Sequence, residues 1–370
     1  MVNKLIGIAL VLLVGLLGFA ISTGFSSGEI SMGIKAPAIK GDHWFNTEPP
    51  EWGRLLGKVI MVDFWDYTCV NCLRTLPYLE EWHKRYSQLG LVIIGVHAPE
   101  FQFAHNPDEI GPAIKRLGIE FPVVMDNDYS IWSDYANRYW PHKYLINKDG
   151  YMVYDHIGEG GYGETEAEIQ KLLKDIDPNL TFPTIMAPVR GSDTPGAVCY
   201  PVTPELYCGY SRGRLGSSPG YIPNREGDYI APKVLSDGFI NLQGQWLAAE
   251  EYVQHSRNTV ELEDNLSIRY HAAEVNLVMH PGQNERMTPK KVFVKQDDEF
   301  LLKDLVGEDV QFDHNGETYV LVDEPRMYRI IKSKVHGEHT LQLFSKNSGV
   351  EMYAFTFGSC IIPNGTDIAN

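Results

Sequence analysis

The chain opens on an unbroken apolar run, Leu5 to Ile21, behind a single lysine, and a run this uniform has no polar face to turn toward water. It reads as an export segment. Its length lies between a long signal-peptide core and a short membrane span, and Gly18-Phe19-Ala20 is a weak small-x-small cleavage site. A cleaved signal peptide and a retained N-terminal membrane anchor over residues 1–30 therefore both fit. Either fate places the body of the chain outside the cytoplasm.

From Lys58 to Asp175 the pattern alternates between strand and helix. KVIMVDFW is a continuous apolar strand, CLRTLPYLEEWHKRYSQLG has helical spacing and stops at Gly90, and LVIIGVHA is a second buried strand. DEIGPAIKRLGI reads as a helix, FPVVMD as a short strand and YSIWSDYANRY as a helix. KYLINKDGYMVYDHIG is a hairpin turning at Lys148-Asp149-Gly150, and ETEAEIQKLLKDI is a closing amphipathic helix. This order predicts a mixed sheet with helices on its faces.

From Asp177 to about Tyr229 prolines, glycines and tyrosines replace the periodicity, which reads as a linker passing into a long ordered arm. Only strand patterns follow: GFINLQG, QWLAAEEYVQH, LSIRYHA, EVNLVMHPG, KKVFVKQ, TYVLVDE, RMYRIIKS, HTLQLFSKN and VEMYAFTFG. Such short runs between Gly, Asn and Asp predict a β-sandwich or jelly roll. The expected units are 1–30 (export segment), 31–178 (α/β domain), 179–230 (linker and arm) and 231–370 (β domain).

A net charge of −16 over 370 residues, with no basic run, excludes a nucleic-acid or anionic-membrane surface. The five cysteines change the picture more, because disulfides persist outside the cytoplasm. Cys69 and Cys72 lie in YTCVNCLRTLP, whereas Cys199, Cys208 and Cys360 are far downstream. A zinc site would need two further ligands, and neither a second CxxC nor a paired-histidine motif exists; His83 and His97 are isolated. No metal is expected. A purely structural bridge between Cys69 and Cys72 would close too small a loop to constrain the unfolded chain. Redox chemistry remains, with the Cys69–Cys72 disulfide as the sole redox group and no other cofactor. Cys69 falls where a strand ends and a helix begins, so helix-terminal N–H groups stabilise its thiolate; Cys72, a turn further in, is shielded. Cys69 attacks and Cys72 resolves.

VDFW, the CxxC and WPHKYLINKDG together resemble the thioredoxin fold, with Pro141 in the place of its cis-proline. KAPAIKGDHWFN, LLGKVIMVDFW and GIEFPVVMD are similar to the TlpA-type extracytoplasmic branch. FWDYTCVNCLRTLPYL, VHAPEFQF, ANRYWPHKYLI and GEGGYGETEAEI resemble the DipZ-like proteins. TPELYCGYSR and the β-rich tail resemble the module that follows in those proteins, itself similar to carbohydrate-binding β-sandwiches. The resemblance implies an α/β thioredoxin-like fold of TlpA type followed by an all-β sandwich or jelly-roll domain. It also implies an exported thiol-disulfide oxidoreductase that reduces cysteine-containing extracytoplasmic proteins. Full-length DipZ-like proteins carry a multi-span electron-conducting domain, and this chain has at most one span, so a separate membrane electron donor is expected. The β domain would bind a glycan or a protein partner.

Several residues take expected roles from this frame. Asp63 is the residue thioredoxins keep beneath the couple; buried there, its pKa would rise and it would accept the Cys72 proton, whereas a strand-end aspartate in solvent would do neither. Trp65, Tyr67, Thr68 and Trp140 are candidates for the substrate groove, although aromatics in such strands are as often core. Pro141 would offer a backbone edge to a bound peptide. Glu159 and Glu164 sit near the site, or else form a turn and a capping box from Thr165 to Glu168. Asp66 would oppose the thiolate by like charge and has no assigned role. Trp246, Tyr252, Tyr270 and Tyr353 either stack on sugars or, the better reading, fill the core, and His255, His271, His280 and His336 lack ligand spacing. Cys360, just past the last strand, should pair with a cysteine of the arm, Cys199 ahead of Cys208. Cys208 stands where relatives have an apolar residue and is a second candidate for that bridge. Two other function classes compete. In one, an extracellular binding protein uses the thioredoxin-like unit as scaffold; in the other, peroxide reduction, the Thr-x-x-Cys arrangement is missing.

Overall fold

The computed structural model describes residues 33–282 and 288–361, so the apolar run of residues 5–21 lies outside it. Among the described residues no helix is long and apolar enough to cross a membrane.

The first unit is a seven-stranded sheet built from β1 (Ile34–Lys35), β2 (Trp44–Phe45), β3 (Val59–Trp65), β4 (Leu91–His97), β5 (Val123–Met125), β6 (His142–Ile146) and β7 (Tyr151–Ile157), in the order β1-β7-β6-β3-β4-β5-β2. β3 is central, parallel to β4 and antiparallel to β6, and every one of its residues is buried. A strand covered on both faces has no reason to alternate, which accounts for the continuous apolar run. Helices α1 (Val70–Tyr86), α2 (Pro107–Leu117), α3 (Ser130–Asp134) and α4 (Tyr162–Lys174) surround the sheet. Leu79 and Trp82 of α1 pack with Ile169 and Leu173 of α4 in one core, while Phe64, Ile131 and Tyr135 belong to a separate one. Truncating a residue such as Leu79 to alanine should cost about 2–5 kcal/mol.

Two helix boundaries differ from expectation. α3 stops at Asp134 because Ala136 turns left-handed at φ 51, sending the chain toward Trp140. α4 begins earlier, after Gly160 and Gly161 at φ 89 and 58, so Thr165 is helix interior. Its hydroxyl donates to the Gly161 carbonyl at 2.9 Å and also meets the Tyr154 hydroxyl, so it heads no capping box.

In the β-rich unit, LSIRYHA and EVNLVMHPG prove to be one strand, Asn265–His280, and RMYRIIKS and HTLQLFSKN another, Arg326–Ser345. These two pair along most of their length through bulges near Ala272 and Val275. The Asn265–Ile268 end pairs with Ile240–Gln243, whereas the Glu274–His280 end pairs with Glu351–Gly358. The expected all-β domain is there: among the described residues its strands form one continuous eleven-stranded antiparallel sheet bent around a single core that includes Leu266, Leu277, Tyr328, Leu343 and Phe355. QWLAAEEYVQH divides, its first part finishing Ile240–Ala248 and its last forming Val253–His255. Trp246, Tyr270 and Tyr353 are buried core residues, and Tyr252 is half-buried against Tyr353.

The arm joins this sheet: Leu206–Tyr207 pairs with Phe355 and Ala354. The two units also share a core. Phe101 and Phe103 of the first meet Tyr353 of the second at ring-centroid distances of 5.1 and 4.8 Å, and Arg116 pairs with Glu324 at 2.5 Å.

Candidate active site

β3 ends at Trp65 and α1 begins at Val70, which leaves Cys69 as the N-cap residue of a helix with no acidic side chain in its first turn. The Cys69 sulfur accepts the Cys72 backbone N–H at 3.2 Å, and the two cysteines are joined as a disulfide with a Cα separation of 5.3 Å. Cys72 is fully buried while Cys69 is partly exposed. Orphan N–H groups and the positive end of the helix dipole therefore act on the accessible sulfur.

The buried acids around the couple are of two kinds. Asp66 is spent on geometry: one carboxylate oxygen accepts the Thr68 N–H at 2.6 Å and the Thr68 hydroxyl at 2.8 Å, and the other accepts the Glu100 N–H at 2.6 Å. Burial pushes this carboxyl up, and the hydrogen bonds from Glu100 and Thr68 pull it back. Asp66 thus pins the Cys69 loop to the chain leaving β4, the role that sequence reasoning did not find.

Asp63, buried on β3, is different. Burial raises its carboxyl to about 7 against the opposing pull of Lys143, and among the described residues its Oδ1 has no hydrogen-bond partner. Lys143 stands directly opposite Asp63 in the β3–β6 ladder, fully buried, with Nζ donating to the Gly158 carbonyl at 3.1 Å. Burial pushes the lysine down and Asp63 holds it up. Lys143 was missed in the sequence, where a lysine inside the apolar stretch HKYLI was the available signal.

The Trp140–Pro141 peptide is cis. The Pro141 carbonyl accepts the Gly158 N–H at 2.8 Å, and the Trp140 indole N–H donates to the Ala98 carbonyl at 3.0 Å, fixing this loop beside the end of β4. Trp140 and Thr68–Asn71 form one side of a cavity of about 290 Å³ that contains Cys69. Further lining comes from elsewhere: Glu100, then Glu205, Tyr207 and Arg212 of the arm, and Phe357 of the β-rich unit.

Trp65 and Tyr67 do not wall this cavity. Both are buried, Trp65 edge-on to His97 at 5.4 Å and Tyr67 stacked on His97 at 5.6 Å, because their strand end is covered on both faces. Glu159 and Glu164 border another cavity, of about 530 Å³, where Glu159 receives Arg74 at 3.2 Å and Arg190 at 3.1 Å. Cys199 and Cys360 are ladder partners joined by a disulfide with a Cα separation of 4.0 Å. Cys208 is free and buried, and burial pushes its thiol up, so it belongs to no bridge.

Residues 203–358 match the family described as thioredoxin like C-terminal domain, and residues 32–155 match the AhpC/TSA family. The DipZ protein of Mycobacterium tuberculosis (strain CDC 1551 / Oshkosh) is 29% identical over 327 residues, 87% of this chain and 43% of DipZ. The chain thus spans less than half of that relative's length. The thiol-disulfide oxidoreductase ResA of Bacillus anthracis is 30% identical over 173 residues, 46% of this chain and 94% of ResA. Among solved structures, a thiol-disulfide isomerase from Corynebacterium glutamicum aligns with a TM-score of 0.35 and 24% identity, over 37% of this chain and 96% of its own. With a part-exposed cysteine capping the helix and its buried partner one turn on, the match to ResA places the chain in the thioredoxin-like thiol-disulfide oxidoreductases, and over most of its length it is similar to DipZ.

Proposed function

We propose that the protein is an exported reductase of protein disulfides. The observation that carries this reading is the asymmetry of the couple: a partly exposed Cys69 sulfur at a helix N-terminus, and a buried Cys72 within reach of it. The reduced Cys69 thiolate attacks one sulfur of a substrate disulfide and the other sulfur leaves. Cys72, deprotonated, then attacks Cys69, releasing the second substrate thiol and closing the Cys69–Cys72 disulfide. Asp63, held near neutrality by burial, is the base for the Cys72 proton, and Lys143 across the ladder limits how far its carboxyl rises. The Pro141 backbone presents an edge to the substrate chain.

Export is supported by the apolar N-terminal run, and substrates by the names of the relatives, one a thiol-disulfide oxidoreductase. Each turnover leaves the couple oxidised, so an external dithiol donor, proposed to be a membrane protein, must return two electrons. The scaffold reading is not favoured, since it leaves the couple and the cavity around Cys69 without a use. Reduction potential decides direction: a value near roughly −270 mV marks a reductant, and one near roughly −120 mV an oxidant and the end of this reading.

A further inference from the structure

The lining of the Cys69 cavity carries two carboxyl groups that the chemistry above does not use. The Tyr207 hydroxyl lies 2.9 Å from Glu100 Oε1 and 2.7 Å from Glu205 Oε2. A phenol has one hydrogen to give, so both contacts are hydrogen bonds only when one carboxyl is protonated and donates to the phenol oxygen. The Arg212 guanidinium selects which. It donates to Glu100 Oε1 at 2.9 Å and lies over the Tyr207 ring at 3.7 Å, so it keeps Glu100 anionic and leaves the hydrogen on Glu205.

The chain therefore runs in one direction, from the Glu205 carboxyl to the Tyr207 hydroxyl to the Glu100 carboxylate. Its ends differ in exposure: Glu205 is exposed, whereas the Glu100 side chain is 13% exposed. All three members and Cys69 border the same cavity. The other charged groups facing them are Asp66, which takes the Glu100 N–H, and Glu251, which faces Arg212 from the turn ahead of Val253–His255. Both are acids, so they favour retention of a proton in the cluster.

We infer that Glu205, Tyr207 and Glu100 form a proton relay from solvent to the thiolates that leave at Cys69, a role that rests on the redox reading above. When the Cys69 thiolate attacks, a Cys69–substrate S–S bond forms, the substrate S–S bond breaks, and its electron pair departs on the second sulfur. Glu205 passes its proton to Tyr207 as Tyr207 passes its own to Glu100, and Glu100 protonates the departing sulfur. Solvent then reprotonates Glu205. The second leaving thiolate, released when Cys72 attacks Cys69, is protonated by the same route. The sum is protein dithiol plus substrate disulfide giving protein disulfide plus two substrate thiols. Glu100 is the catalytic donor; Tyr207 and Glu205 act through it.

The test follows reduction of a synthetic disulfide-bonded peptide by the pre-reduced full chain between pH 5 and 9. The wild-type rate should rise as Cys69 ionises and fall as the carboxyl pair loses its shared proton. Tyr207→Phe, which keeps the ring beneath Arg212, should lower the rate roughly tenfold or more, within or just under the usual range of general acid catalysis, and remove the alkaline fall. Added imidazole buffer should restore much of the rate in Tyr207→Phe, which repair of a structural defect would not achieve. Glu205→Gln, at an exposed position with little risk to folding, should behave alike. If the wild type leaves the peptide oxidised, the redox reading falls and takes the relay with it. If the wild type is active, Cys69→Ser is dead, and both relay variants keep the wild-type rate and pH profile, the relay alone is overturned.

Discussion

Replacing Asp63 by asparagine should change how stability depends on pH more than stability at any single pH. The Asp63 carboxyl titrates near 7 in the folded protein against an ordinary 3.8. Between those values the folded state holds a proton that the unfolded state has lost, so the wild type loses stability as pH rises, and the loss is complete above about 7. A displacement of this size amounts to about 4 kcal/mol in all, more than half of which falls between pH 5 and 8. Asp63→Asn has no such proton to lose. Lys143, without the aspartate that holds it up, is then pushed further down by burial. A buried lysine of lowered pKa gains stability with rising pH, which widens the contrast. Urea denaturation of the oxidised protein at pH 5, 6, 7 and 8 measures the difference, since Asp66 and Glu100 titrate alike in both proteins and cancel. Parallel curves, with the variant tracking the wild type within about 1 kcal/mol across the range, would show that Asp63 is not the buried near-neutral acid described here.

Three further outcomes are expected. Iodoacetamide should label Cys69 of the reduced native protein first, leave Cys208 untouched because it is buried, and find mixed disulfides accumulating on Cys69 in Cys72→Ser; mass spectrometry reads all three, and equal labelling of Cys69 and Cys72 at neutral pH contradicts the assigned roles. Asp66→Asn leaves one acceptor oxygen where two serve Thr68 and the Glu100 N–H, and should cost about 1–3 kcal/mol in urea denaturation, with a matching loss of turnover as the Cys69 loop is released. Replacing both Cys199 and Cys360 by serine opens a loop of 161 residues and should cost about 5 kcal/mol in the chain-entropy account, read as a lower urea midpoint for the β-rich unit; an unchanged midpoint rejects a stabilising tether.

The parts of the fold that could be read from the chain are those whose cause is local. β3 and β4 announce themselves because a strand covered on both faces must be apolar throughout, and the hairpin from His142 to Ile157 because Gly150, at φ 85, supplies its turn. The same full coverage hid the fate of Trp65 and Tyr67, since in a strand without alternation no periodicity tells core from cleft. In the β-rich unit the bulges near Ala272 and Val275 leave the strand apolar on both sides of the bend, so one long strand reads as two short ones. Cys69 and Cys72 were legible because their chemistry needs only each other and a helix start.

Apart from Asp63, what tunes that couple was not legible, for a physical reason. The carboxyl, phenol and guanidinium groups of the cavity come together across 107 and 112 positions, for Tyr207 and Arg212 against Glu100, and Asp63 meets Lys143 only through the register of β3 on β6. The cavity residues look ordinary in their own neighbourhoods, an acid in a turn and a tyrosine in an irregular arm, and Lys143 stands out only as a charge among the apolar residues of its strand. They acquire function because the arm returns to pair Leu206–Tyr207 with the last long strand, and that strand is itself held against Phe101 and Phe103 by Tyr353. The β-rich unit therefore need not bind anything to matter for the redox reaction. By packing where it does, it turns one side of an open cysteine into a cavity with its own acids, so the proton chemistry at Cys69 depends on a domain that carries neither cysteine of the couple.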